Sequence, residues 1–371
     1  MKRPGKTDLK SLILSELQEQ LRDLGEPSYR AGQITDWLYK KRVDTIDKMT
    51  NLPQPLRKRL SETFPLGKID AIRVLGARDT TRKFLFRLAD GNLIESVLIP
   101  ASLALYGGRS DRRTICVSTQ VGCAYGCKFC ASGLDGFSRN LSANEIIDQL
   151  IAVERATDEK IDNIVFMGMG EPLANLENVL RAIRVMNAEW GLGIGARHIT
   201  ISTSGLAPQI RKLGEERLQI RLAVSLHGAT DEVRNRIMPI NRRYNVETLL
   251  SACDYYKAHK KQRLTFEYIL IADVNDSDDQ ARLLSRHAHR LSAKVNLIPY
   301  NSVSGLPWAR PSEKRQEKFL SIVRAEGIPV TLRREKGHDI DAACGQLRLQ
   351  TERETLTGGS PYRRTGPAHR G

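Results

Sequence analysis

The sequence predicts an α/β protein: an incomplete (βα)6 barrel of parallel strands, preceded by a small helical domain and a β-hairpin connector. Three observations carry this. Apolar segments of strand length alternate with helical patterns from about residue 114 to 335, and repeated βα units imply a parallel sheet. Asp90-Gly91 stands between two strand-like runs just before them, a strong hairpin signal. At 371 residues the chain exceeds the size at which one core usually stops growing, so a small accessory domain is expected beside the large one.

Residues 1–66 read as the helical accessory domain. Leu14, Leu17, Leu21 and Leu24 recur at helical spacing and stop at Gly25. Ile34, Trp37 and Leu38 make a second apolar face, followed by Lys40, Lys41 and Arg42, and a third helix holds Leu56 and Leu60 beside Arg57, Lys58 and Arg59. Such basic helix ends either touch phosphates or merely cap the larger domain. Residues 67–100 change period: Lys83–Leu88 and Leu93–Ile99 flank the turn as a β connector that delivers Glu95 toward the next domain.

Residues 101–347 form the barrel. Its strands are expected at 114–120, 163–169, 198–204, 219–227, 263–271 and 293–301, with 329–334 as a further one. A helix opens at Ser142, with Glu145 three residues on as a capping box. Others begin near Asn175 and cover 245–260, 276–291 and 311–326. In such folds chemistry gathers at the C-terminal ends of the strands. Residues 348–371, with Gly358-Gly359-Ser360-Pro361 and Arg363-Arg364, read as a disordered basic tail.

Composition excludes some classes. Hydrophobic residues at 40% and charged residues at 27% suit a soluble globular protein. No apolar run reaches the roughly 18 residues that a membrane helix needs. Met1–Lys6 leads into a charged segment and not into the apolar core of a signal peptide, so a cytoplasmic protein with no membrane association is expected. The net charge of +15 suits either a polyanionic partner or a solvated basic surface. Three of the six cysteines cluster at 123, 127 and 130, which argues for metal binding in a reducing compartment rather than for disulfides.

Cys123-x3-Cys127-x2-Cys130 puts three thiolates on one tight loop. A structural zinc wants four ligands, and no fourth Cys or His lies nearby. A four-iron cubane also has four coordination positions to fill. With three thiolates one iron stays open, and it can chelate the amino and carboxylate groups of S-adenosylmethionine, whose reductive cleavage releases a 5′-deoxyadenosyl radical. Gly122, Gly126 and Gly133 let the loop fold tightly, and Phe129 can shield the cluster.

The loop resembles that of the radical S-adenosylmethionine superfamily. With Cys116–Cys123 before it and Gly136-Phe137-Ser138-Arg139-Asn140-Leu141 after it, the chain resembles the RlmN/Cfr family of RNA adenine methyltransferases over residues 28 to 347. That resemblance implies a [4Fe–4S] cluster on Cys123, Cys127 and Cys130, with two S-adenosylmethionine molecules consumed per turnover. It assigns Gly170 and Glu171, in Phe166–Asn175, to the methionyl end of the cofactor. Ser202, Ser225, Leu226, His227 and Asn301 follow as cofactor-binding residues at later strand ends. Cys344, in Asp339–Leu347, matches the cysteine that carries the methyl group, and Cys116 the cysteine that resolves the adduct through a transient disulfide. Glu95 is the implied proton acceptor, with Cys116 as the alternative. Cys253 matches nothing and reads as core.

The same resemblance implies the chemistry. Adenine C2 lies between two ring nitrogens and is too electron-poor to attack a sulfonium methyl. One S-adenosylmethionine methylates Cys344, the radical from a second takes hydrogen from that methyl, and the methylene radical adds to C2. Cys116 then attacks the Cys344 sulfur as methylated RNA leaves. The implied partners are 23S ribosomal RNA, tRNAs modified at the adenine 3′ to the anticodon, and a reductant protein such as flavodoxin, with the enzyme a monomer. Methylation at C8, or a non-catalytic RNA-binding protein with structural zinc, are the competing readings; the tail of the cluster loop favours C2.

Overall fold

The computed structural model describes residues 7–76, 81–100, 112–134, 136–303, 305–333, 347–348 and 351. Three helices open the chain: α1 (Leu14–Asp23), α2 (Arg30–Thr35), which runs on through a wider turn at Asp36–Lys40, and α3 (Gln54–Thr63). Leu17, Leu21, Ile34, Leu38, Leu56 and Leu60 are all buried, as their helical spacing requires. Gly25, at φ 73°, ends the first helix in the left-handed region that glycine adopts freely.

This domain is held to the barrel by buried polar contacts. Lys10 pairs with Asp148, both side chains nearly out of solvent. The Lys10 ammonium also donates to the Gly67 carbonyl, and Tyr39 Oη donates to the Lys10 carbonyl at 3.1 Å. Asp148 lies on α4 (Ala143–Thr157), where the Ser142 N–H donates to Glu145 at 2.9 Å, as a capping-box helix start requires.

One ten-stranded sheet runs through the molecule. Strands β1 (Ala71–Gly76), β2 (Arg82–Arg87) and β3 (Leu93–Pro100) are antiparallel. Strand β3 pairs antiparallel with β4 (Arg113–Cys116), the first strand of the parallel set. Short strands β5 (Gln120–Gly122) and β6 (Phe137–Asn140) form a separate ribbon. The parallel strands continue as β7 (Asn163–Phe166), β8 (Ile199–Thr203), β9 (Arg221–Ser225), β10 (Thr265–Leu270), β11 (Lys294–Pro299) and β12 (Val330–Leu332). Each strand anticipated from the sequence is present.

Three local differences have physical causes. The strand expected over 114–120 ends at Cys116. Beyond it the chain departs to form the ribbon, where a Cβ on Gly122 would meet the Gly136 carbonyl oxygen at 2.0 Å. Helices at Ala207–Glu215 and Asp231–Ile237 were not anticipated: the first carries Pro208 and Gly214, and the second is seven mostly polar residues, too short for a periodic signature. The expectation of disorder from 348 onward is corrected at its start. Arg348 and Thr351 are buried and helical, because Leu347 packs on Leu85 and Leu93 and draws the following residues onto the β1–β3 sheet. Among the described residues no helix is long and apolar enough to cross a membrane.

Candidate functional site

Strand register decides which side chains meet. Val97 pairs with Cys116, and Cys116 with Val165. Further along, Ser202 pairs with Ala223, and Ser225 with Glu267, which pairs with Asn296. In-register partners share a face of the sheet, and alternate residues along a strand share it too. At the C-terminal ends of these strands lies a cavity of about 300 Å³. Val97, Val165, Met167 and Ile269 supply its floor, and Cys116, Phe129, Cys130, His227, Tyr300, Asn301 and Arg333 its walls.

The cysteine loop closes one side. Its N-terminal end is tied by Cys123 N–H to the Gly136 carbonyl at 2.8 Å. Its middle is held by Lys128, whose N–H donates to the Ile237 carbonyl at 2.9 Å and whose carbonyl accepts from Trp308 Nε1 at 2.7 Å. The three thiols are half-buried. Burial pushes the Cys123 thiol up to about 11, and the nearby Cys130 sulfur adds to the effect. Burial also raises Cys127, followed by Cys130 and Cys123. Two thiols that resist ionisation alone, with the third cysteine's charge opposing theirs, suit a metal group that replaces their protons. Among the described residues no three His, Cys, Asp or Glu side chains converge on one metal ion. Cys123, Cys127 and Cys130 would hold a four-iron cluster between them without converging on one ion.

Glu171 stands beside this loop, its charge raising the Cys123 and Tyr125 ionisations. Its carboxylate is buried; Oε1 accepts from Leu173 N–H at 3.0 Å and Oε2 from Ser204 N–H at 2.7 Å. Burial raises its pKa, and among the described residues no cation pairs with it, so it suits the ammonium of an amino-acid ligand. Gly170 before it sits at φ 93°, where a Cβ would come 2.4 Å from Cβ of Gln120; only glycine fits. Gln120 Oε1 in turn accepts from the Glu171 N–H at 2.8 Å.

His227 adopts φ 55°. Its Nδ1 accepts from Ile269 N–H at 3.0 Å, which leaves the ring proton on Nε2. Burial, then the nearby Arg234 charge, lowers its pKa to about 3, so the imidazole is neutral.

The anticipated residues divide. Cys116, Cys130, His227 and Asn301 meet in the cavity wall. Ser202 and Ser225 share the inner face but stand off that wall, and Leu226 turns its side chain into the core while its N–H donates to the Glu267 carbonyl at 3.0 Å. Glu95 is buried next to Lys83, on the same strand face as Val97 but not among the residues that line the cavity. Cys253 is core, as expected, and burial pushes its thiol up to about 12. Cys344 lies outside the described residues.

Sequence reasoning missed Arg234. Fully buried, it donates from Nε to the Leu226 carbonyl at 3.0 Å, from Nη2 to Ser204 at 2.5 Å and from Nη1 to Asn241 Oδ1 at 2.8 Å, tying the ends of β8 and β9 together. An arginine in a polar heptapeptide gives no hint of this. Glu267, buried and receiving Asn296 Nδ2 at 2.9 Å, was missed too; its position within an apolar strand was the available signal.

Residues 117–284 match the radical SAM superfamily, and residues 7–66 match the ribosomal RNA large subunit methyltransferase N-terminal domain. A probable dual-specificity RNA methyltransferase RlmN of Akkermansia muciniphila is 52% identical, covering 92% of this chain and 97% of that protein. A probable dual-specificity RNA methyltransferase RlmN 3 of Opitutus terrae is 54% identical over 95% of this chain and 96% of its own length. A crystal structure of a radical SAM methyltransferase from Sphaerobacter thermophilus superposes with a TM-score of 0.85 at 46% identity, over 92% of this chain and 98% of that one.

Proposed function

Because the chain belongs to the RlmN family of radical S-adenosylmethionine RNA methyltransferases, we propose that it methylates adenine C2 in 23S ribosomal RNA, and the adenine 3′ to the anticodon in tRNA, through a methyl group carried on Cys344. That it is a radical S-adenosylmethionine enzyme acting on RNA, with a [4Fe–4S] cluster, follows from the family.

The observation that carries methyl transfer through a cysteine is the position of Cys116. This second thiol lies on the wall of the same cavity as Cys130, in the first parallel strand and off the cysteine loop. A radical enzyme that only cleaves its cofactor has no use for it there.

Cys123, Cys127 and Cys130 would hold the cluster, which when bound would supply the electron for reductive cleavage of S-adenosylmethionine. Glu171 accepts the cofactor ammonium, and the Gly170 backbone leaves room for its methionyl end. Ser202, Ser225, the Leu226 backbone, His227 and Asn301 complete cofactor binding. The apolar floor of Val97, Val165, Met167 and Ile269 excludes water, which protects a radical from quenching. Cys344 presents the methyl carbon to adenine C2, and the ring proton passes to Glu95 or Cys116. Cys116 then attacks the Cys344 sulfur, so that a disulfide replaces the carbon–sulfur bond to the product. Residues 1–66 act as an RNA-binding domain, and a flavodoxin-type protein supplies electrons to the monomeric enzyme.

The test is anaerobic turnover with ribosomal RNA and tRNA, read by mass spectrometry of the nucleosides. The expected product is 2-methyladenosine, and Cys116→Ala should accumulate a covalent protein–RNA adduct. Product methylated at C8 instead overturns the position. A Cys116→Ala enzyme that turns over like wild type without an adduct overturns the resolving role.

A further inference from the structure

Arg234, in the helix Asp231–Ile237, is fully buried. Its guanidinium donates only to neutral oxygens: the carbonyls of Leu226, Ser204 and Ser225, and the Asn241 side chain. Among the described residues no carboxylate pairs with it. Asp231 on the same helix is exposed, and its Oδ1 accepts from Asn241 Nδ2 at 2.9 Å and from Val246 N–H at 2.8 Å. A buried charge normally has an opposite charge beside it, because hydrogen bonds to neutral groups offset only part of the cost of leaving water.

What lies against this helix is the cysteine loop. Lys128 N–H donates to the Ile237 carbonyl at 2.9 Å, which seats the residue after Cys127 on the helix that carries Arg234. The Phe129 ring meets His227, the neighbour of the Leu226 carbonyl that Arg234 Nε reaches at 3.0 Å. The two residues that follow Cys127 are thus fixed to the two elements that Arg234 joins. Burial lowers the arginine's pKa to about 10, and of the charges that work against this fall Cys127 comes first. The guanidinium therefore stays protonated near neutrality, beside thiols that become negative when a metal group replaces their protons.

We propose that Arg234 is the fixed counter-charge of the iron–sulfur site, a positioning residue that raises the reduction potential of a cluster held by Cys123, Cys127 and Cys130. A cluster's potential follows the charge around it, and taking up one electron adds one negative charge there. A cation fixed in a dry interior favours that reduced state, because little water screens it. The effect runs through the cluster alone, so neither the carbon methylated in RNA nor the role of Cys344 enters it.

The test is an anaerobic redox titration of the iron-loaded full-length protein, with dithionite as the electron source and without S-adenosylmethionine or RNA. Electron paramagnetic resonance reads the reduced cluster, and thermal unfolding is the folding control. Arg234→Gln removes the charge and keeps an amide donor. Arg234→Lys keeps the charge and gives up most of the hydrogen bonds. Asn241→Asp leaves the arginine in place and sets a carboxylate on its Nη1. Arg234→Gln and Asn241→Asp should each shift the equilibrium at least about tenfold against the reduced cluster, a potential about 59 mV lower for one electron. Arg234→Lys should lower the potential by less than half as much, although it unfolds at a lower temperature than wild type. An arginine that only ties strand ends together predicts the opposite, with Arg234→Lys perturbed and Asn241→Asp unchanged. A wild-type potential in iron-loaded Asn241→Asp overturns the proposal, and does so even if neither Arg234 variant folds. An Arg234→Lys potential as low as that of Arg234→Gln overturns it too.

Discussion

The ring of His227 meets Phe129 edge-on, centroids 4.9 Å apart and planes at 88°. Phe129 lies between two cysteines of the loop and His227 at the end of β9, so this contact packs the loop against the parallel sheet. It also keeps the imidazole dry, and that has a pH consequence.

An unfolded histidine takes up a proton near 6.5, whereas folded His227 does so only near 3. The unfolded chain therefore binds more protons between those values. The stability that His227 contributes is complete above about 6.5 and is lost as pH falls from there toward 3. Urea midpoints of wild type should fall more between pH 7 and pH 5 than those of His227→Asn. Parallel pH dependences in the two proteins would contradict a neutral, buried imidazole.

Cys127→Ser should abolish the metal group. A hydroxyl is a poor replacement for a soft thiolate ligand, so iron per chain should drop sharply, and the brown absorption near ~400 nm, which a filled-shell Zn²⁺ cannot give, should vanish. Formation of 5′-deoxyadenosine should vanish with it. Wild-type iron content in Cys127→Ser would remove this cysteine from the ligand set.

Gly170→Ala tests the cofactor cradle. The new methyl would collide with the Gln120 side chain at 2.4 Å in a backbone conformation with φ 93°, a strain of about 1–3 kcal/mol. Gln120 must then move off the Glu171 N–H, displacing the carboxylate. S-adenosylmethionine affinity, measured calorimetrically on the iron-loaded protein, should weaken at least about tenfold, since that strain is worth a factor of this size. Gly32→Ala is the control. Nothing lies within 4 Å of its new Cβ and the site is helical, so stability should rise by up to about 1 kcal/mol. Equal affinities in the two variants would sink the cradle.

What the sequence determined by itself is local. Cys123-x3-Cys127-x2-Cys130 is a loop motif whose chemistry follows from spacing, and helices such as Ala143–Thr157 and Asp278–Leu291 announce themselves by period and cap. The alternation of strands and helices was legible for the same reason: each element is encoded within its own span. Only the tertiary structure decided which residues of different elements meet. Val97 reaches Cys116 through an antiparallel register, Arg234 joins two strand ends through carbonyls that no side-chain pattern reveals, and Glu95 holds Arg348 across 253 residues. Such contacts depend on register and on the closing of the sheet. Their energy comes from burial and hydrogen bonds that exist only once distant segments are packed together.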